Sequence, residues 1–234
     1  MINNPHPGRI LILLLLFLLL NMVFSLHGQE TRVVRDLHLW TGVQLEKTLA
    51  KDWTISLSEE IRFKKDVSEL NNYFTDLGLE YRINRNFSLQ GNYRFTRDRK
   101  KDLSFENLSR YNFDLKYKGK LDFLTVKYRL RYQKEVEGFR LYDQNIPFEK
   151  HLRHRLTLKI NSMKIVEPYM SGEVFHLFRP TRYPVFEYVR LQAGVLLDLK
   201  DAGEVKAAWG FNRELGSAQP LVIYMFRLNY TYKL

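Results

Sequence analysis

The stretch Val222-Ile-Tyr-Met-Phe-Arg-Leu-Asn-Tyr-Thr-Tyr-Lys-Leu234 alternates residue by residue. Phe226, Leu228, Tyr230, Tyr232 and Leu234 are apolar or aromatic; Arg227, Asn229, Thr231 and Lys233 between them are polar. Successive side chains of a β-strand point to opposite faces, so this segment has one greasy face and one charged face. The same pattern recurs in Tyr73-Phe-Thr-Asp-Leu-Gly-Leu-Glu-Tyr-Arg-Ile83, in Phe87-Ser-Leu-Gln-Gly-Asn-Tyr-Arg-Phe95 and in Leu124-Thr-Val-Lys-Tyr-Arg-Leu-Arg-Tyr132. Strands of soluble proteins average about five or six residues. A tilted strand crossing a bilayer needs about nine to eleven. Repeated dyad segments of that length are the signature of a transmembrane β-barrel. The expected fold is therefore all-β: one antiparallel transmembrane barrel over residues 29–234, preceded by a secretory signal peptide over 1–28.

The signal peptide is read from Arg9, the apolar run Ile10 to Leu20, and the more polar Asn21 to Gly28. Such a run spans about 16 Å as a helix, short of the ~30 Å bilayer core. No later stretch approaches the length of a transmembrane helix. The sequence carries 37 Lys and Arg against 26 Asp and Glu, a formal charge of +11. These cations alternate with aromatics along strands rather than clustering in a run, which argues against nucleic acid as the partner. There is no cysteine, so disulfides, thiolate metal sites and a lipidated cysteine anchor are excluded.

About eleven segments fit the strand pattern: 36–47, 53–64, 72–83, 86–97, 107–117, 121–133, 150–160, 166–177, 186–199, 204–213 and 221–234. Short connections (48–52, 84–85, 118–120, 161–165, 200–203) alternate with longer ones (65–71, 98–106, 134–149, 178–185, 214–220), as short periplasmic turns alternate with external loops in outer-membrane barrels. If the last strand ends at the periplasm, the first runs inward too and starts outside. That conflicts with an even strand count, so a barrel of about 10–12 strands is expected, twelve being the even number preferred.

Parity assigns the apolar residues, such as Trp53, Ile55, Leu57, Ile61 and Phe63, to the outside. From Phe87 to Phe95 is about 26 Å along the strand, or roughly 20 Å after tilting, close to the height of an apolar band between aromatic girdles. The inward face then carries Arg62, Arg82, Arg94, Arg129, Arg131, Arg153 and Arg155, with further cations, against Glu60, Glu80, Glu173 and other acids. Stripping water from an ion costs several kcal/mol, so such charges must be paired or hydrated. Two arrangements satisfy this: an Arg–carboxylate network that fills a narrow lumen, or a water-filled passage that favours small anions. Residues lining a passage would be Arg129, Arg131, Arg153 and Arg155, which crowd two neighbouring strands.

Catalytic signals are sparse. An outer-membrane acyl hydrolase would need Ser, His and a carboxylate, and His151, His154, Ser171, Glu173 and His176 fall on two adjacent strands. Parity points His154 and His176 outward, leaving His151 with Ser171 and Glu173 inside. No His-x-Glu-x-x-His, Gly-x-Ser-x-Gly or phosphate-binding glycine loop is present. The expectation is a non-enzymatic barrel without cofactor or metal, with a lipid-modifying hydrolase as the alternative. Charged and aromatic loops, 97–102 and 134–149, would meet lipopolysaccharide and outer-membrane lipid. The alternating C-terminal segment looks like the strand signal read by the barrel-insertion machinery, with Leu234 in place of the usual Phe.

In order, Trp40-Thr-Gly-Val-Gln-Leu-Glu-Lys47, Glu60-Ile-Arg62, Gly78-Leu-Glu-Tyr-Arg82, Gly91-Asn-Tyr-Arg94, Tyr128-Arg-Leu-Arg-Tyr-Gln133, Arg153-His-Arg155, Pro168-Tyr-Met-Ser-Gly-Glu-Val-Phe175 and Arg190-Leu-Gln-Ala-Gly194 resemble the domain-of-unknown-function family 2490 of Bacteroidota outer-membrane proteins. The resemblance covers essentially all of the chain after the signal peptide. It implies a barrel in the outer membrane of a Gram-negative bacterium, and it implies no activity.

Overall fold

The computed structural model of the chain describes residues 33–100, 102–138, 148–161, 165–179 and 182–234. The expected signal peptide and most of the 134–149 loop lie outside the described residues. The strands are β1 (Val34–Ala50), β2 (Trp53–Lys64), β3 (Glu69–Arg82), β4 (Phe87–Arg99), β5 (Phe105–Leu121), β6 (Leu124–Glu137), β7 (Phe148–Ile160), β8 (Val166–Arg179), β9 (Arg182–Asp198), β10 (Glu204–Glu214) and β11 (Leu221–Lys233). Each pairs antiparallel with the next, and β1 pairs with β11 to close the barrel.

The closing pair is parallel, running from Val34↔Leu221 to Glu46↔Lys233. This follows from the strand count. In an up-and-down barrel each strand reverses the last, so the eleventh runs the same way as the first and can only pair with it in parallel. The even count that the sequence suggested does not hold. The segments read from the alternation were neither split nor incomplete; the closure rule applied to them was too narrow. Both ends of the seam are pinned outside the ladder, Val34 N donating to the Pro220 carbonyl (3.3 Å) and Leu234 N to that of Glu46 (2.7 Å).

The two barrel ends differ less than expected. At one, here the turn end, the connections are 51–52, 83–86, 122–123, 161–165 and 199–203, the last holding a short 3₁₀ turn at Lys200–Ala202. At the other, the loop end, they are 65–68, 100–104, 138–147, 180–181 and 215–220. Several expected long loops shrink because their flanking strands run beyond the apolar stretch: β8 and β9 meet across Arg179↔Arg182 where a loop over 178–185 was expected. The β2–β3 connection is tight enough to hold Lys65, Asp66 and Val67 at positive φ. The Asp36 carboxylate accepts from the amides of Lys65 (3.2 Å) and Asp66 (3.1 Å) and holds that unfavourable backbone in place.

Side-chain alternation sorts into two environments. The outer surface exposes Leu57, Ile61, Leu77, Leu79, Leu89, Phe113, Leu115, Trp209, Phe226 and Leu228, with Phe113 63 % exposed. Soluble monomers rarely expose an apolar surface this extensive. Aromatic pairs flank it: Trp53–Tyr81 (4.7 Å) and Phe87–Tyr117 (5.2 Å) towards the turn end, Tyr73–Phe105 (6.0 Å) and Tyr93–Tyr111 (5.2 Å) towards the loop end. The inner face buries Glu60, Asp76, Asn112, Asp114, Gln133, Arg153, Glu173 and Gln192. The usual arrangement of a soluble protein is thus inverted. At Gly194 and Gly210 a Cβ would lie 2.2 Å from the backbone carbonyls of Ala207 and Leu191, so only glycine lets β9 and β10 approach as they do.

Candidate functional site: the charged interior

The barrel is narrow enough for side chains to bridge past a neighbouring strand. Arg227 on β11 donates to Glu60 on β2 (2.8 Å), Arg129 on β6 to Glu173 on β8 (2.6 Å), and Lys116 on β5 to Glu80 on β3 (2.6 Å). Gln192 on β9 reaches Met225 on β11, the most deeply buried apolar side chain. The bands of the wall are therefore tied by chords as well as by the backbone ladder.

On the β2–β6 side, charges are matched. Arg62 donates to Glu60 (2.7 Å), which also holds Arg227. Arg94 donates to Asp76 (2.8 Å), whose other oxygen accepts from Asn92 (2.7 Å). Arg110 pairs with Glu135, and Arg131 forks onto both oxygens of Asp114 (2.6 and 2.7 Å). The bidentate geometry is the one the planar guanidinium favours. Aromatic rings take up guanidinium faces in the same layer: Arg94 lies 3.6 Å over Phe74, and Arg62 4.0 Å over Trp40. Arg190 (5.0 Å) and Arg227 (5.6 Å) approach the same indole, so the Trp40 face is held among three cations.

On the β6–β10 side, charges are not matched. Glu173, 2 % exposed, contacts Arg129 (2.6 Å), Arg153 (2.9 Å) and Arg190 (3.6 Å). Arg155, registered opposite it, turns instead to neutral acceptors, Ser171 (3.2 Å) and the Gln192 carbonyl (3.4 Å). Lys206 rests 4.6 Å over the Tyr169 ring. Among the described residues, no carboxylate other than Glu173 lies within ion-pair distance of Lys127, Arg129, Arg153, Arg155, Arg190 or Lys206. Register adds to the excess: Lys118 faces Lys127, Lys116 faces Arg129, Arg129 faces Arg155 and Arg131 faces Arg153. Like charges directly opposite in a ladder repel.

The crowding of Arg129, Arg131, Arg153 and Arg155 expected from the sequence is therefore a matter of direct opposition, though Arg131 is spoken for by Asp114. Arg62, Arg94, Glu60, Glu80 and Glu173 also sit inside as parity placed them. Arg82 does not; it is exposed at the turn-end rim, where β3 runs out. Trp40, Phe74, Tyr169 and Phe175 were missed as interior residues, because an aromatic on the polar parity looks like noise in an alternating strand. The intrusion of rings among arginines is the signal that finds them.

The potential hydrolase residues are held apart. Ser171 faces Thr157 while His151 faces Leu177, a separation of about 20 Å along the strands. His151 Nε2 hydrogen-bonds Glu187 (2.9 Å), and Ser171 Oγ accepts from Arg155. His154 and His176 meet edge to face (5.6 Å), with the Tyr128 hydroxyl 2.7 Å from His154 Nδ1. No group of three or more His, Cys, Asp or Glu among the described residues is placed to hold a metal ion.

These features define a closed β-barrel with an apolar exterior and an interior of buried, largely ion-paired side chains. The chain belongs to the family described as Protein of unknown function (DUF2490), whose pattern matches residues 37–215, from β1 to just past β10. Neither a curated protein nor a solved structure matches it.

Proposed function

We propose that the chain is an outer-membrane β-barrel of a Gram-negative bacterium, non-enzymatic, and closed at rest rather than an open diffusion pore. The apolar exterior with its flanking aromatic pairs suits a bilayer. A secretory signal over 1–28 and the barrel-insertion machinery would deliver it there, with the turn end at the periplasm and the loop end towards lipopolysaccharide. The closed reading is carried by one observation: the Glu173 cluster, whose side chains from β6, β7, β8 and β9 converge in the interior with little exposure. An open pore would keep such ions hydrated; here they are paired with one another. The interior keeps a net positive charge, so any solute it handles is a small anion. His151 and Ser171 are each engaged with other groups, which supports a structural or binding role over acyl hydrolysis.

The test is single-channel recording of the refolded chain in a planar bilayer under a salt gradient. The folded barrel, verified by its heat-modifiable mobility, is expected to give no steady conductance. Stable anion-selective steps from the wild-type chain would overturn the closed reading.

A further inference from the structure

We infer that the β6–β10 side of the interior is a binding site for a small oxyanion, a phosphate or carboxylate, reached from the turn end and held by Lys127, Arg155 and Lys206. The inference rests on the closed-barrel reading, because an anion held there needs walls that stop it passing through.

Lys206 has no hydrogen-bonding or ion-pair partner among the described residues beyond the Tyr169 ring, and the charges that act on it most strongly are all cations: Arg155, Arg227, Lys127 and Arg129. Arg155 spends one amino group on neutral acceptors and leaves the rest of its fork free of a carboxylate. Lys127, exposed towards the turn end and directly opposite Lys118, likewise has no carboxylate in contact. Cations gathered in a narrow interior repel one another, and a buried one is costly without a counter-charge. An oxyanion supplies that counter-charge and offers acceptors to an ammonium and a guanidinium fork at once. A chain needing only a rigid interior could have set a carboxylate against each of these cations, as Asp76, Asp114 and Glu135 are set against arginines on the β2–β6 side.

There is also a way in. A cavity of about 510 Å³ opens at the turn end, lined by Lys118, Lys120, Asp122, Thr125, Lys159 and Glu167. Glu167 is occupied by Lys159 (2.6 Å), which leaves Lys118 and Lys120 against Asp122, an excess of one cation. Lys127 stands directly opposite Lys118 at the cavity wall, where Lys118 and Lys159 act on it more strongly than Glu204 and Glu167. Beyond the cavity, Lys127 and Arg155 both act on Lys206, so the positive charge continues inward from its wall towards the Glu173 cluster. A solute entering there would meet a positively charged recess that ends at the Glu173 cluster. Field focusing between low-dielectric walls would raise the local anion concentration there.

The probe is inorganic phosphate, titrated calorimetrically into the refolded chain in an uncharged detergent at constant ionic strength. Saturable binding is expected in the wild type, weakened at least tenfold in Lys206→Gln and in Lys127→Gln. The exposed variant Lys65→Gln should bind like wild type. A second arm adds phosphate-bearing lipid to the same micelles: competition with free phosphate would assign the site to headgroups at the rim, no competition to free anions within. Absence of saturable phosphate binding in a folded wild type, or unchanged binding in both lysine variants, overturns the inference. Bilayer recording is a separate readout, so a barrel that conducts yet fails to bind, or binds yet never conducts, tells the two readings apart.

Discussion

The β2–β6 and β6–β10 sides of the interior are built from the same residue types and solve opposite problems. On the first, Glu60, Asp76, Asp114 and Glu135 each meet an arginine, and Asp114 takes Arg131 with both oxygens. On the second, one carboxylate serves three arginines while Arg155, Lys127 and Lys206 go without. The difference teaches that charge inside this barrel is not mere filler. Where the aim is to close the lumen, each of Arg62, Arg94, Arg110 and Arg131 has a carboxylate. Where cations accumulate without acids, the wall is arranged for something that carries its own negative charge.

The sharpest way to break this comparison is Glu173→Gln. Removing one partner from a buried ion pair costs about 3–5 kcal/mol, and Glu173 is shared by several, so the loss should fall at the upper end. Asp114→Asn strips a single arginine and should fall at the lower end. Urea midpoints of the heat-modifiable band measure both. Equal losses would mean that the two sides are energetically alike.

Smaller, but opposite in sign, is the effect of losing a cation. Arg131→Met strands Asp114 and should destabilise the barrel by about 3 kcal/mol. Lys206→Met relieves repulsion and strands nothing. It should leave stability unchanged or raise it by about 1 kcal/mol in the absence of phosphate. A destabilised Lys206→Met would show that Lys206 is structural. At the bottom of the scale lies the exposed Lys65–Glu69 pair (2.7 Å) at the loop end. Lys65→Ala should leave the urea midpoint unchanged within error, fixing the noise floor.

Much of this was legible in the residues. Strand β2 occupies 53–64 as the alternation indicated, and Leu57 and Ile61 point outward as parity required. A period of two fixes the face of every side chain once the strand is found. What the alternation does not encode is which strands meet across the lumen. Glu60 was read as an interior acid near Arg62, but its partner Arg227 comes from the far end of the chain. Nor does it encode axial height, which is why His151 and Ser171 looked like neighbours though six positions of the β7–β8 ladder separate them. Arg82 failed for a third reason: parity gives a side but not an end, and a strand terminus puts an inward residue into solvent.

The parallel β1–β11 seam has a practical outcome for anyone tagging the protein. From Val34↔Leu221 to Glu46↔Lys233 the seam runs about 40 Å along the strands. A peptide epitope inserted just ahead of Val34 and another appended after Leu234 therefore emerge at opposite mouths of the barrel. In an even-stranded barrel both would share one compartment. In the outer membrane proposed for it, a single molecule would carry a label for each face, and antibody staining of intact against permeabilised cells would read its orientation directly. The same geometry blocks the usual circular permutation, since a short linker joining the two termini would have to thread the closed interior.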